Sequence, residues 1–304
     1  MNCLITGANG FVGKYLVSEL KNTFQKIYRS GLENTIEADP DLIPIDIRNE
    51  KSVNSLIQSI QPDVIFHLAA QASVPISIEN PQETLEINVK GTLNILSSMK
   101  NLNKTTKLIY ISSADVYGKQ EEKSYPLNET ILPNPVNPYS ASKLSAEIFC
   151  RQFALQYENL QIIIARPFNH IGVGQREIFV VPSFITQVLE AKKTKKEIIV
   201  GNLSSKRDFL DVRDVVRAYS ILAERGQSGE IYNICSGEDI SIREILDKII
   251  QITNANIEIA VDPARFRKAD TPRLFGTSEK LQKLGWAKKF DIEQSLKDII
   301  ESYH

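Results

Sequence analysis

The sequence predicts an α/β protein with a doubly wound parallel sheet, accompanied by a smaller α/β region toward the C-terminus. In the first half, short apolar segments alternate with segments whose apolar residues recur at helical spacing. The strand candidates are almost continuously apolar, as in the isoleucine-rich residues 161–166, which is typical of parallel strands covered by helices on both faces. A chain of 304 residues, of which 42% are hydrophobic, can bury a core of the required size.

The predicted elements follow one another without an internal repeat or a flexible linker. In the first half we predict strands at 3–6, 26–29, 43–45, 64–67, 107–112 and 161–166, and helices at 11–20, 51–60, 82–99 and 140–157. In the second half we predict helices at 178–192, 212–225, 242–252, 279–284 and 292–303, and short strands at 197–200, 208–210, 230–234 and 257–260. Alternating strands and helices form βαβ units, so we expect the first half to build one sheet.

Composition excludes several classes of partner. The formal net charge is -1, so no overall field attracts nucleic acid or an anionic membrane. The three cysteines are scattered and form no C-x-x-C pair, which argues against a disulfide framework or a zinc site, and we predict no metal. Because no apolar run is long enough to span a bilayer and no signal peptide precedes the first strand, we expect a cytoplasmic protein.

A glycine-rich turn joins the first predicted strand to the first predicted helix. Residues 4–13 read L-I-T-G-A-N-G-F-V-G, with Gly7, Gly10 and Gly13 three apart. Glycine permits the sharp turn, the close approach of backbone to a pyrophosphate and the tight packing of helix on sheet. The helix N-terminus offers unpaired N–H groups to phosphate. A glycine turn without a ligand is the alternative, but its place between strand and helix favours a dinucleotide-binding Rossmann domain.

The end of the second predicted strand bears on which nicotinamide dinucleotide binds. An acidic side chain there would hold the ribose hydroxyls of NAD, but the chain reads Tyr28-Arg29-Ser30. A guanidinium and a hydroxyl can hold a 2′-phosphate instead, so we favour NADP(H), with NAD(H) as the alternative and an exposed arginine as the simpler explanation of Arg29. After the third strand, we expect Asp46 to accept from the adenine amino group and Ile47 to pack on the ring.

Tyr139 and Lys143 lie in Y-S-A-S-K at the start of a predicted helix, and Ser113 closes the fifth predicted strand. A spacing of four places the phenol and the ammonium on one helix face, where the ammonium would lower the pKa of the phenol. Ser113 would lie at the carboxyl edge of the sheet, where ligands bind in this architecture. An amphipathic surface pair is the alternative for Tyr139 and Lys143. Their order along the chain favours a catalytic group with Tyr139 as the proton donor.

Seven motifs resemble those of the extended short-chain dehydrogenases/reductases that act on nucleotide sugars. They are T-G-A-N-G-F-V-G, H-L-A-A-Q-A-S-V, N-V-K-G-T-L-N, S-S-A-D-V-Y-G, Y-S-A-S-K, R-P-F-N-H-I-G-V-G-Q and R-D-F-L-D-V-R-D. The resemblance runs from Met1 nearly to the C-terminus. R-P-F-N-H, together with the late segments R-F-R-K-A-D-T-P-R-L-F-G and K-L-G-W, is similar to the GDP-4-keto-6-deoxy-D-mannose reductase branch and its relative GDP-mannose 4,6-dehydratase.

The resemblance implies a role for each group of residues. Ser113, Tyr139 and Lys143 would be catalytic, and Asn88 would support the backbone of the active site. The residues expected to bind the cofactor are Gly7, Asn9, Gly10, Phe11, Val12, Gly13, Arg29, Asp46, Ile47, Leu68, Ala69, Ala70, Tyr139, Lys143 and Arg166. Those expected to bind the nucleotide sugar are Asn169, Arg207, Arg267 and Asp270.

The expected role of Arg207 also has a physical argument. A basic residue in a cleft suits a diphosphate, which favours Arg207 as a clamp, with a surface salt bridge to Asp208 or Asp211 as the alternative.

We expect the Rossmann domain to comprise 1–168 plus about 205–236, and the nucleotide-sugar-binding domain to comprise about 169–204 and 237–304. Related enzymes dimerise through a four-helix bundle, so we expect a homodimer built from residues 82–99 and 140–157.

The residues after Ser113 bear on the reaction. In the dehydratases the corresponding loop reads Thr-x-Glu, and here Ala114 and Asp115 follow Ser113. A carboxylate one methylene shorter is a poorly placed base for the proton at C5 of the sugar. We therefore favour reduction of the C4 ketone of a GDP-linked 4-keto-6-deoxyhexose, giving GDP-D-rhamnose or a close epimer. A 4,6-dehydratase and a 4-epimerase are the alternatives, and an NADP-binding regulatory protein without turnover is the non-enzyme alternative.

Overall fold

A computed structural model of the chain describes residues 1–32, 39–194, 197–266 and 271–303. The strands are β1 (Asn2–Thr6), β2 (Lys26–Gly31), β3 (Leu42–Pro44), β4 (Val64–His67), β5 (Thr106–Ile111), β6 (Leu160–Pro167), β7 (Asn169–Ile171), β8 (Ile198–Val200), β9 (Lys206–Arg207), β10 (Phe209–Asp211), β11 (Ile231–Ile234), β12 (Ile240–Ser241), β13 (Ile259–Val261) and β14 (Arg273–Leu274). The helices are α1 (Phe11–Leu20), α2 (Glu50–Ile60), α3 (Val74–Glu79), α4 (Pro81–Leu85), α5 (Gly91–Met99), α6 (Pro138–Gln156), α7 (Val180–Thr194), α8 (Val212–Arg225), α9 (Ile242–Thr253), α10 (Glu279–Gln282) and α11 (Ile292–Glu301).

Seven parallel strands form the main sheet in the order β11-β6-β5-β4-β1-β2-β3. The order reverses at β1, because the chain first builds outward through β2 and β3 and then continues from β4 on the other side. This is the doubly wound arrangement of the Rossmann fold, in which ligands bind beyond the carboxyl ends of the strands at the reversal. The predicted fold class is confirmed.

Each central strand contributes to two cores, which explains its continuous apolar sequence. Successive side chains of a strand point to opposite faces: Leu4 and Ile162 pack with α2, α5 and α6, while Ile5 and Ile163 pack with α1 and α8. These four side chains are fully buried. A polar residue at any of these positions would therefore enter one of the two cores.

The second half of the chain forms smaller sheets around the C-terminal helices. β7 pairs with β10, β8 with β13, and β9 lies between β12 and β14. A third core lies between α7, α9 and α11, with Val188, Ile249 and Leu296 among its buried residues. The division into two domains stays a prediction. Among the helices in the described ranges, none is both long and apolar enough to cross a membrane.

The predicted elements at 82–99 and 26–29 show how the structure departs from the sequence pattern. The single helix predicted at 82–99 is instead α4, a π-helical turn at Glu86–Lys90, and α5. The π turn carries Asn88, whose buried side chain makes hydrogen bonds outside its own helix, and such turns are frequent at functional sites. The strand predicted at 26–29 continues to Gly31, because residues 29–31 pair with β3.

Candidate active site

The turn after β1 has no room for a side chain at the positions of its glycines. Gly7 has a φ of 71°, and a Cβ there would lie 2.8 Å from the backbone nitrogen of Ala69. A Cβ on Gly13 would lie 2.7 Å from the Cα of Ala8, so α1 packs directly on the turn. Gly10 is the N-cap of α1 and makes no side-chain hydrogen bond. The first N–H groups of that helix therefore have no capping side chain as a partner. A bare helix N-terminus above a glycine cradle fits the pyrophosphate of a dinucleotide.

Neighbouring loops complete the cradle. The loop after β4, Leu68-Ala69-Ala70, is held to β1 by hydrogen bonds from the Leu68 amide to the Thr6 carbonyl and from the Ala69 amide to Thr6 Oγ1, both 3.2 Å. The side chain of Asn9 occupies the space that a Cβ on Gly31 would fill at the end of β2. The predicted cofactor residues of β1, β2 and β4 therefore lie together at one sheet edge.

The side chains predicted near the adenosine are engaged with protein partners. Arg29 lies two residues before the end of β2 and pairs with Asp39 at 2.8 Å and Asp41 at 2.9 Å. Asp46 accepts two hydrogen bonds from the guanidinium of Arg48, and these bonds lower the pKa of Asp46. Ile47 is buried, and its side chain fills the space beside Gly91. Contact of these residues with a cofactor stays a prediction.

The structure brings Ser113, Tyr139 and Lys143 together at the carboxyl end of β5. Ser113 follows this strand directly, and its hydroxyl is close enough to the Tyr139 phenol to favour a lower pKa of that phenol. Tyr139 and Lys143 lie on the first turns of α6, which begins at Pro138 with Asn137 in a capping box. Lys143 Nζ donates to the carbonyl of Ile111 at 2.6 Å. These three groups have the arrangement expected of a hydroxyl pair that binds a carbonyl, backed by a cation.

Burial dominates the electrostatics of this group. Burial raises the pKa of the Tyr139 phenol, the carboxylate of Asp115 raises it further, and the hydrogen bond with Ser113 opposes both. Burial lowers the pKa of Lys143 to about 8, and the carboxylate of Glu147 opposes that change. The expectation that Lys143 lowers the pKa of Tyr139 is not met, because the ammonium is directed toward Ile111 and over the Tyr110 ring, 5.1 Å from its centroid. The phenol is therefore neutral at physiological pH, which suits a proton donor.

Asn88 connects the loop after β4 to α6. Its Nδ2 donates to the Gln71 carbonyl at 3.0 Å and to Ser142 Oγ at 2.9 Å, and its Oδ1 accepts from the Gln71 amide at 2.8 Å. Ser142 directly precedes Lys143 in α6. The bonds of Asn88 agree with the backbone-supporting role that the resemblance implied.

Arg166 and Glu147 form a buried ion pair behind the catalytic group. Both side chains are 2% exposed, and Arg166 donates through Nε and Nη2 to the two carboxylate oxygens at 2.9 and 2.6 Å. Nε and Nη2 of the guanidinium are thus both bonded to Glu147. The expected contact of Arg166 with a cofactor stays a prediction. Sequence reasoning missed Glu147, although its spacing of four from Lys143 was a usable signal.

The predicted substrate residues lie on the neighbouring short strands. Asn169 is exposed at the start of β7 and pairs with Phe209, and Arg207 ends β9 between β12 and β14. The carboxylate of Asp208 accepts from the backbone of Ser236 and Gly237, and that of Asp211 accepts from Arg213. Arg267 and Asp270 lie outside the described residues.

His170 is a second residue that sequence reasoning missed. Its ring is stacked on Phe11 of the glycine turn, with centroids 6.3 Å apart and planes 7° apart. Its Nδ1 lies 3.0 Å from the Phe168 carbonyl. Burial lowers the pKa of His170, so a neutral ring connects the start of α1 to β7.

Comparison with known proteins agrees with this geometry. The family model described as GDP-mannose 4,6 dehydratase matches residues 4–299, nearly the whole chain. The chain belongs to this family. A relative from Pseudomonas aeruginosa, named GDP-6-deoxy-D-mannose reductase, is 37% identical over 302 residues, which are 98% of this chain and 96% of the relative. GDP-6-deoxy-D-talose 4-dehydrogenase from Aggregatibacter actinomycetemcomitans is 34% identical over 92% of this chain and 90% of its own.

Solved structures of the same class share the fold over their full length. The structure of RMD from Pseudomonas aeruginosa complexed with NADPH superposes with a TM-score of 0.86 at 36% identity, covering 99% of this chain and 98% of that one. UDP-glucose 4-epimerase from Thermotoga maritima, solved with UDP-glucose, gives a TM-score of 0.91 at 28% identity, covering 100% and 98%. The GDP-mannose 4,6 dehydratase family thus includes this chain by sequence, and its fold is that of nucleotide-sugar enzymes.

Proposed function

We propose that this protein reduces the C4 ketone of a GDP-linked 4-keto-6-deoxyhexose, with GDP-4-keto-6-deoxy-D-mannose as substrate and GDP-D-rhamnose as product. The observation that carries the proposal is the meeting of Ser113, neutral Tyr139 and Lys143 beside the glycine cradle. The name of the Pseudomonas aeruginosa relative supports the choice of substrate class, and the NADPH in the related structure supports NADP(H) over NAD(H).

The residues of the chain divide the work of the reaction. Bound NADPH supplies the hydride. The hydroxyls of Ser113 and Tyr139 hold the ketone oxygen from one side, and Tyr139 donates its proton to the alkoxide that develops there. Lys143, one helical turn after Tyr139 on α6, ties that helix to the end of β5 through the Ile111 carbonyl. The close approach of the Ala69 backbone to Gly7 leaves no room for a side chain at position 7 of the turn that would receive the cofactor.

The diphosphate of the nucleotide sugar would be held by Arg207, with Asn169 on the adjacent sheet. Support comes from the register of β7 and β10, which sets Asn169 opposite Phe209, two residues from Arg207. A guanidinium binds a diphosphate through two parallel hydrogen bonds. Arg267 and Asp270 remain proposed contacts of the nucleoside on the resemblance alone.

Dehydration is the second candidate, and Asp115 is the observation that favours it. Its carboxylate is half-buried and close enough to raise the pKa of Tyr139. Buried Ala114 separates it from Ser113, and the backbone N–H of Asp115 donates to Ser113 Oγ at 3.2 Å. A base for C5 must reach the proton it removes, and the short side chain of Asp115 is the reason we prefer reduction.

A substrate panel separates the candidates. Purified protein is incubated with GDP-, UDP-, dTDP- and CDP-linked 4-keto-6-deoxyhexoses, and the oxidation of NADPH or NADH is followed by absorbance. We expect NADPH oxidation that is fastest with the GDP-linked sugar. Conversion of GDP-mannose to its 4-keto-6-deoxy product without added reductant would support the dehydratase instead. Binding of NADPH without turnover of any sugar would support a regulatory protein.

We further propose a homodimer formed through α4, α5 and α6. Leu85, Ile148 and Leu155 are exposed on these helices, Leu155 at 88%, and burial of such side chains favours association. The expected mass in solution, by light scattering, is twice 34.2 kDa, and Leu155→Glu should shift it to the monomer. A cytoplasmic location stays a prediction from the sequence.

A further inference from the structure

Glu147 lies on the catalytic face of α6 although it touches none of the reacting groups. Tyr139, Lys143 and Glu147 are each four residues apart, so they form one line along the helix. The carboxylate of Glu147 is 2% exposed. Stability alone does not explain this buried charge, because replacing a buried ion pair by apolar side chains of similar volume is often neutral or stabilising.

The carboxylate of Glu147 joins α6 to two adjacent strands. Arg166, one residue before the end of β6, donates to both of its oxygens at 2.9 and 2.6 Å. Ser112, the first residue after β5, donates its hydroxyl to Oε1. All three side chains are 2% exposed, so water does not compete for these bonds.

Three consecutive residues at the end of β5 therefore face three residues of α6. The Ile111 carbonyl accepts from Lys143, the Ser112 hydroxyl donates to Glu147, and the Ser113 hydroxyl meets Tyr139. The middle contact is the one that Arg166 also anchors from β6. Its loss would remove the ionic link between α6 and β6 beside the two outer contacts.

We propose that Glu147, held by Arg166, is a positioning residue for the reduction: it sets the register of α6 against the ends of β5 and β6, so that Tyr139 meets Ser113 at the ketone oxygen. The inference rests on the proposed function for its kinetic readout. Small displacements of reacting groups are costly, on the order of a hundredfold in rate per ångström.

The first test removes the pair without leaving a buried charge. The double variant Glu147→Met/Arg166→Met keeps the volume of both side chains and should retain its fold, with a melting temperature within a few degrees of wild type. We expect kcat to fall by about 10- to 100-fold, with KM for NADPH and for the sugar nucleotide within about twofold. An unchanged kcat in this folded variant would overturn the inference.

The second test removes only the contact to β5. Ser112→Ala deletes one buried hydroxyl, and Ser98→Ala is its matched control, because Ser98 is also 2% exposed and bonds within its own helix to the Asn94 carbonyl. We expect a lower kcat in Ser112→Ala and a normal kcat in Ser98→Ala. Equal losses in both variants would mean general loosening of the core and would count against a role for Glu147.

A spectroscopic readout keeps the inference separate from the substrate assignment. The ring-carbon NMR signal of Tyr139, assigned through Tyr139→Phe in tyrosine-labelled protein, reports the surroundings of its ring beside Ser113 in the absence of any sugar. We expect this signal to shift in the Glu147→Met/Arg166→Met protein and in Ser112→Ala, but to stay in place in Ser98→Ala. An unshifted signal overturns the positioning role. Failure of every sugar in the panel, with the signal shifted as expected, overturns only the proposed function.

Discussion

Burial of the charged Lys143 side chain should lower the free energy of unfolding of the protein. Replacing Lys143 with an apolar residue tests this expectation. The side chain is 4% exposed, and burial lowers its pKa from an ordinary value of 10.5 to about 8. Lys143→Met removes the charge and keeps much of the length of the side chain. We expect the variant to be inactive in reduction and yet more stable than wild type at pH 7.

The magnitude follows from the pKa and from one hydrogen bond. The pKa of Lys143 falls from 10.5 to about 8 on folding. Keeping this side chain charged at neutral pH therefore costs the folded protein about 3 kcal/mol. Loss of the 2.6 Å bond from Nζ to the Ile111 carbonyl costs roughly 1 kcal/mol in return. The expected net gain for Lys143→Met at pH 7 is therefore about 2 kcal/mol.

The sign of the pH dependence is fixed by the lowered pKa of Lys143. Between pH 8 and 10.5 the unfolded chain still binds the proton that the folded protein has released, so the stability of wild type rises with pH in that window. The advantage of Lys143→Met should shrink over the same window and reverse before pH 10.5, where only the loss of the hydrogen bond to Ile111 remains.

Thermal unfolding at pH 7, 8.5 and 10 measures this difference. Lys192→Met is the matched control, because Lys192 is exposed and also donates to a carbonyl at 2.6 Å, that of Thr253. It should lose stability slightly or not at all at every pH. A Lys143→Met protein that is less stable than wild type at pH 7, or whose advantage does not change with pH, would refute the reasoning.

Three further predictions concern the reaction and its ligands. Tyr139→Phe should lower kcat by about 10²–10⁴ with unchanged NADPH affinity by fluorescence titration, because only the proton donor is lost; near-normal turnover would contradict its role. Arg207→Ala should raise KM for the sugar nucleotide more than it lowers kcat, and an unchanged KM in steady-state assays would exclude the clamp. Arg29→Ala should weaken NADPH more than NADH, by about 1.5 kcal/mol because its charge is shared with Asp39 and Asp41; an equal loss of affinity for both cofactors, or no loss, by calorimetry would remove Arg29 from the 2′-phosphate site.

The central sheet was predictable because its signals are local. β1, β4, β5 and β6 contain short apolar runs, and the longer helices between the strands have one apolar face. The glycines at 7, 10 and 13 are also recognised locally, from the strand before them and the helix after them. The assembly of Ser113 with Tyr139 followed from the rule that ligands lie at the carboxyl edge of a parallel sheet.

The parts that sequence reasoning missed depend on contacts between distant residues. Asn88 in the π turn makes hydrogen bonds to Gln71 and Ser142. The sequence around Asn88 contains no local pattern that predicts these distant partners. The electrostatic expectation for Tyr139 was wrong for a related reason. Spacing on α6 fixes the distance to Lys143, but burial and the direction of the ammonium toward Ile111 decide the pKa.

The position of β11 in the main sheet limits how this chain can be divided. β11 pairs with β6 along residues 231–234 and 164–167, although more than sixty residues separate the two strands in sequence. A fragment that stops after β6 would present Ile162, Ile164 and their neighbours on an unprotected edge, a surface prone to aggregation. A ribosome must therefore release residues beyond 234 before the first half can close its sheet. Exchange of substrate-binding parts between relatives would need cuts on both sides of β11.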